Sequence, residues 1–105
     1  MESLPVIGVD VGGTKIASAR VSRDGSLAAP AEEPTPQGSQ QAFLDVLEGA
    51  VRGRLAVGAA AAAGIGVPSR IDQVAHRIVG SVHAPLAGID LAGYLDERLE
   101  VPVFV

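Results

Sequence analysis

Val6-Ile7-Gly8-Val9-Asp10-Val11-Gly12-Gly13-Thr14-Lys15-Ile16-Ala17-Ser18-Ala19 is the stretch whose reading decides the fold. Its first six residues alternate, with Ile7, Val9 and Val11 on one face at period two and Gly8 and Asp10 on the other. Gly12-Gly13-Thr14 reads as a turn, because glycine takes positive φ without steric cost. Lys15 to Val21 then alternates again, with Ala17, Ala19 and Val21 opposite Ile16, Ser18 and Arg20. The pattern predicts a β-hairpin with a carboxylate, Asp10, near its tip.

Outward from the hairpin, Arg23-Asp24-Gly25-Ser26 predicts a second turn, and Leu27 to Glu33 a weaker third strand ended by Pro34 and Pro36. Ser39 is placed to cap a helix whose apolar stripe is Leu44, Leu47, Val51 and Leu55, with Arg52 and Arg54 near its C-terminal end. Ala59 to Ala63 leads into a buried strand, Gly64-Ile65-Gly66-Val67, stopped by Pro68. Ile78-Val79 and Val82 suggest a further short strand. Asp90 is a cap for a last helix carrying Leu91, Leu95 and Leu99; Glu100-Val101-Pro102 breaks it and Val103-Phe104-Val105 begins a strand. The order, βββαβ(β)αβ, describes one α/β domain with a mixed sheet, since three strands precede the first crossover helix.

Composition bounds the function. With 105 residues, 48% hydrophobic, 19% charged and a net charge of −4, the chain reads as folded rather than disordered. It has no cysteine, which excludes disulfides and thiolate metal sites within it. The pI near 4.9 and eight Lys and Arg residues argue against a nucleic-acid partner. No apolar run approaches a membrane span, and Met1 to Pro5 resembles no signal segment, so a cytoplasmic address is expected. His76 and His83 lack the further ligands that tetrahedral zinc wants, so they are read as ordinary strand histidines.

The chemistry concentrates in Asp10-Val11-Gly12-Gly13-Thr14-Lys15. Glycine lets backbone amides approach a phosphate closely, Thr14 offers a hydroxyl, and Lys15 offers a point charge. Asp10 could hold Mg²⁺ through its waters. Neither better-known phosphate motif is present: Thr-Lys stands where the Walker loop needs Lys and then Ser or Thr, and no Gly-x-Gly-x-x-Gly opens a helix. The residues alone leave two readings, a phosphate cradle or a hairpin turn with a solvated aspartate.

Val6 to Ala19, VIGVDVGGTKIASA, resembles the opening of the ROK family of repressors, open reading frames and sugar kinases. Gly64-Ile65-Gly66-Val67-Pro68 resembles the family's second marker, and Leu91 to Val103 its next segment. The resemblance implies the N-terminal lobe, residues 1–105, of a two-lobed, ribonuclease H-like phosphotransferase of the actin and hexokinase type. It implies ATP and Mg²⁺ as cofactors, a hexose or N-acetylhexosamine as substrate, and a homo-oligomeric parent. By the same resemblance, Asp10 orients Mg²⁺, Gly12, Gly13 and Thr14 cradle phosphates, and Lys15 supports them. Ser69 stands where the family usually has glycine and is a candidate sugar contact; Leu86 replaces a common asparagine and Ile89 a common tryptophan.

The resemblance also implies a general base, the aspartate of an Asn-Asp pair, beyond Val105. The family's His and Cys zinc segment, its adenine pocket and its second lobe have no counterpart in the chain. The 105 residues are therefore expected to be inactive as a kinase by themselves. An alternative is the sugar-sensing domain of a ROK-type repressor, although only five residues precede Val6 where such proteins carry a helix-turn-helix. A third reading is a stand-alone interaction module.

Overall fold

The computed structural model describes residues 4–67, 69–72, 77–81 and 88–105. Its elements run β1 (Val6–Val11), β2 (Lys15–Val21), β3 (Leu27–Pro34), α1 (Gln40–Leu55), β4 (Ala63–Gly66), β5 (Ser69–Asp72), β6 (Arg77–Ser81), α2 (Leu91–Asp96) and β7 (Val103–Phe104). Five strands form one sheet in the order β3-β2-β1-β4-β7, and β5 pairs with β6 in a separate two-stranded sheet. β1, β2 and β3 are an antiparallel meander, whereas β4 runs parallel to β1 and β7 parallel to β4. A helix precedes each parallel strand, because reversing to parallel pairing needs a crossover.

The alternation read in β1 is the alternation that folds. Ile7, Val9 and Val11 are buried, with Ile16 beside them on β2 and Ala63 and Ile65 on β4. Against this face α1 lays Phe43, Leu44, Leu47 and Val51, each worth about 2 kcal/mol relative to exposure. Leu91, Leu95 and Leu99 complete the same layer. Ser39 caps α1, its hydroxyl accepting from the Ala42 amide at 3.2 Å, and Asp90 caps α2 by accepting from Gly93 at 3.0 Å. The opposite sheet face carries Gly8, Asp10, Ala17, Ala19, Gly64 and Gly66, and no described helix covers it.

Two polar residues on the helix-facing side of β2 tie α1 down. Arg20 donates to the carbonyls of Arg54 (2.8 Å), Gly58 (2.7 Å) and Ala59 (2.8 Å), closing the C-terminal end of the helix. Those carbonyls have no partner within a helix end, and a guanidinium fork meets several at once. Buried Ser18 accepts from Arg54 Nη1 at 3.1 Å.

The structure departs from the sequence reading in four places. Ser69–Asp72 is a strand, although its one apolar residue shows no alternation; its partner β6 supplies the order. β4 spans Ala63–Gly66 rather than Gly64 to Val67, because its register is set by pairing Ile7 with Ala63 and Ala63 with Val103. α2 stops at Asp96, whose Oδ1 accepts the Val103 amide at 3.1 Å; Leu99 is buried from the following turn. Neither Gly12 nor Gly13 has positive φ, which Gly25, Gly38 and Gly88 do have. Pro68, His76, Val82, His83, Pro85 and Leu86 lie outside the described residues. Among the described residues no helix is long and apolar enough to cross a membrane.

Candidate functional site

Asp10 lies near the C-terminal end of β1, exposed, on the sheet face away from the helices. Across the antiparallel ladder its neighbour is Ala17, and across the parallel ladder Gly66. Neither neighbour has a side chain long enough to crowd or pair with a carboxylate. Among the described residues Asp10 has no hydrogen bond or ion pair through its side chain. It borders an open depression of about 420 Å³ whose floor includes Gly8, Ala17, Ala19 and Gly64.

The turn beside it is held from behind. The Gly12 amide donates to the Lys15 carbonyl at 2.9 Å, closing the hairpin. A Cβ on Gly12 would lie 2.9 Å from that same oxygen, so glycine serves close approach here rather than positive φ. Three successive carbonyls of the turn then accept hydrogen bonds from the segment after β3. Gly12 O accepts from Thr35 Oγ1 at 2.9 Å, Gly13 O from Gln37 Nε2 at 3.0 Å, and Thr14 O from the Thr35 amide at 3.0 Å. In a planar trans peptide the N–H points opposite to the C=O. The amides of Gly13, Thr14 and Lys15 therefore face away from that segment.

Lys15 is engaged already. Its Nζ lies 2.9 Å from Glu32 Oε2 on β3, with both side chains more than half exposed. The hydrogen bond from the ammonium to Glu32, and the attraction between the charges, hold the lysine above its ordinary pKa. Thr14 is exposed at the tip. Ser69, the candidate sugar contact, opens β5 opposite Ser81, in the second sheet. The structure thus brings Asp10, Gly12, Gly13, Thr14 and Lys15 together at one end of the meander. Thr35, Gln37 and Glu32 were not singled out from the sequence. The one signal for Thr35 is a hydroxyl residue between two prolines, which reads equally well as the end of a strand.

Mg²⁺ usually keeps several waters and binds through one or two carboxylates together with substrate phosphates. A single exposed Asp10, without a side-chain partner among the described residues, fits that mode. Among the described residues no group of three potential ligands offers a protein-only cage.

A three-stranded meander continued by parallel strands behind crossover helices, with a glycine-rich turn at the first hairpin, defines a ribonuclease H-like lobe of the actin and hexokinase class. The sequence profile of the ROK family matches residues 6–105, and the chain belongs to that family. The glucokinase of Streptomyces coelicolor is 29% identical over 99 residues, which cover 94% of this chain and 31% of that protein. A ROK family glucokinase from Streptomyces griseus, solved with glucose and AMPPNP, superimposes with a TM-score of 0.87 at 28% identity, over 96% of this chain and 32% of that one. The ROK hexokinase of Thermus thermophilus gives 0.83 at 26% identity, covering 96% and 34%. The chain thus spans about a third of the length of these relatives.

Proposed function

We propose that residues 1–105 are the N-terminal lobe of an ATP-dependent sugar kinase, which transfers the γ-phosphoryl group to a hydroxyl of a hexose or N-acetylhexosamine. The observation that carries this reading is the Gly12–Lys15 turn, with its carbonyls tied back to Thr35 and Gln37, next to an exposed Asp10 whose side chain has no partner among the described residues. The relatives named glucokinase and hexokinase support the sugar and the reaction class, and the AMPPNP complex of one of them supports ATP as donor. A sugar sensor has no need of a phosphate-binding turn, so the kinase is favoured over the repressor.

MgATP, when bound, supplies the transferable phosphoryl group and the divalent charge that neutralises it. The chain's residues position and screen. The Gly13, Thr14 and Lys15 amides and the Thr14 hydroxyl donate to phosphate oxygens, and Lys15 adds a positive charge. Asp10 would hold Mg²⁺ through its waters, and the metal would supply charge neutralisation to the phosphates. Ser69 is assigned to the sugar side. Deprotonation of the acceptor hydroxyl is assigned to a residue beyond Val105, as is the second wall of the cleft. A missing general base typically costs about 10²–10⁴-fold, so the 105-residue chain with MgATP and hexoses should show only background turnover.

Titration of the ¹⁵N-labelled chain with Mg²⁺ and AMPPNP tests the site directly. Amide shifts should concentrate at residues 10 and 12–15. Asp10→Asn should abolish the Mg²⁺-dependent part while leaving the fold intact, and Asp24→Asn should be silent. Shifts elsewhere, or an Asp10→Asn chain that responds like the parent, would sink the reading.

A further inference from the structure

A Gly-Gly-Thr turn should be among the loosest parts of a small domain, because two glycines have the most backbone freedom to lose. Here it is gripped by one residue 23 positions away. Thr35 is 6% exposed and spends both of its donors on the turn: Oγ1 on Gly12 O at 2.9 Å, the backbone amide on Thr14 O at 3.0 Å. Gly12 O belongs to the peptide between Gly12 and Gly13, and Thr14 O to the peptide between Thr14 and Lys15, so the planes at both ends of the turn are set. Thr35 is itself set by Pro34 and Pro36, whose rings fix their own φ. Gln37 adds a third, exposed bond to Gly13 O.

We propose that Thr35 is a positioning residue for phosphate binding: it holds the Gly12 and Thr14 carbonyls, so that the Gly13 and Lys15 amides on the same peptides are fixed before any ligand arrives. This rests on the reading of the turn as a phosphate cradle. Its physical content is pre-organisation. Donors already oriented lose little freedom when an anion binds, whereas a free diglycine turn would have to be ordered at the ligand's expense. Thr35 touches neither nucleotide nor sugar in this account; it acts through the turn.

The test uses the ¹⁵N-labelled chain, with sodium tripolyphosphate as the probe. Thr35→Val keeps the shape and loses the hydroxyl; Thr35→Ser keeps the hydroxyl. Thr35→Val should weaken tripolyphosphate about tenfold, the worth of roughly one hydrogen bond, and speed hydrogen exchange at the amides of residues 13–15 without ligand. Thr35→Ser should return both to near the parent values, which a role in packing alone would not predict. If the parent binds tripolyphosphate and Thr35→Val binds it equally, with unchanged exchange in the turn, the proposal is overturned and the phosphate reading stands. If the parent has no affinity at the turn, the phosphate reading fails and takes the proposal with it. Should Thr35→Val lose its dispersed spectrum, hydrogen exchange of the unsubstituted chain carries the test: the amides of residues 13 and 15 should exchange more slowly than in an unstructured peptide of the same sequence, and equal rates would overturn the proposal.

Discussion

Replacing Gly12 with alanine should open the phosphate turn, at a cost that follows from one distance. The added Cβ would sit 2.9 Å from the Lys15 carbonyl oxygen, which also accepts the Gly12 amide at 2.9 Å. That oxygen belongs to backbone in a paired strand, so no flexible side chain can swing aside. Relief requires the hairpin to open, loosening the Gly12–Lys15 bond and displacing the Gly12 carbonyl from Thr35. Such overpacking costs about 1–3 kcal/mol, a visible fraction of the roughly 5–15 kcal/mol expected for a domain. The melting temperature should fall by about 5–15 °C. Gly53→Ala in α1 is the internal control, since its Cβ would meet nothing within 4 Å. It should gain about 0.5–1 kcal/mol from helix propensity and a less free unfolded chain. Urea unfolding followed by circular dichroism reads both. A Gly12→Ala loss below about 0.5 kcal/mol, alongside the expected Gly53→Ala gain, would refute the close-approach argument for the turn.

Three further outcomes follow from other contacts. Arg20→Met keeps the stem and removes the donors that close the end of α1; stability should drop by about 2 kcal/mol, after allowing for water at the exposed carbonyls, and a loss under 0.5 kcal/mol in urea would mean that water replaces the guanidinium fully. Ala29 sits at φ 49 in β3, beside the irregularity in its pairing with β2, so Ala29→Gly should raise the unfolding free energy by about 0.5–1 kcal/mol; a destabilised variant would show that the backbone there carries no strain. Glu32 raises the Lys15 pKa, so their mutual stabilisation is present below the lysine's ordinary pKa and is lost as pH climbs through the raised value. Glu32→Gln should lower that pKa in an NMR titration of Lys15 and release the ammonium to tighten tripolyphosphate about two- to threefold; unchanged binding would show that Lys15 does not reach the anion.

Local pattern was legible because it needs only neighbours. The period-two faces of β1 and β2, the Asp24-Gly25 turn and the caps Ser39 and Asp90 follow from side chains within a few positions of one another. The phosphate motif was legible as residue types for the same reason: Asp10, two glycines, Thr14 and Lys15 are contiguous. The motif's glycines do not take the positive φ that their residue type suggests; the crowding of Gly12 by the Lys15 carbonyl depends on where the returning strand lies, and no local rule states it.

By itself, then, the sequence determined the strands and helices of the main sheet, the apolar faces of β1 and of the two helices, and the family. Tertiary structure decided the strand order β3-β2-β1-β4-β7, the pairing of an unpatterned Ser69–Asp72 with β6, and the work of Arg20, Glu32, Thr35 and Gln37. Thr35 reaches Gly12 over 23 positions and Arg20 reaches Gly58 over 38. Which polar side chain meets which distant carbonyl depends on sheet register and helix docking. Burial of the apolar faces sets both, and only then do the leftover donors find their acceptors.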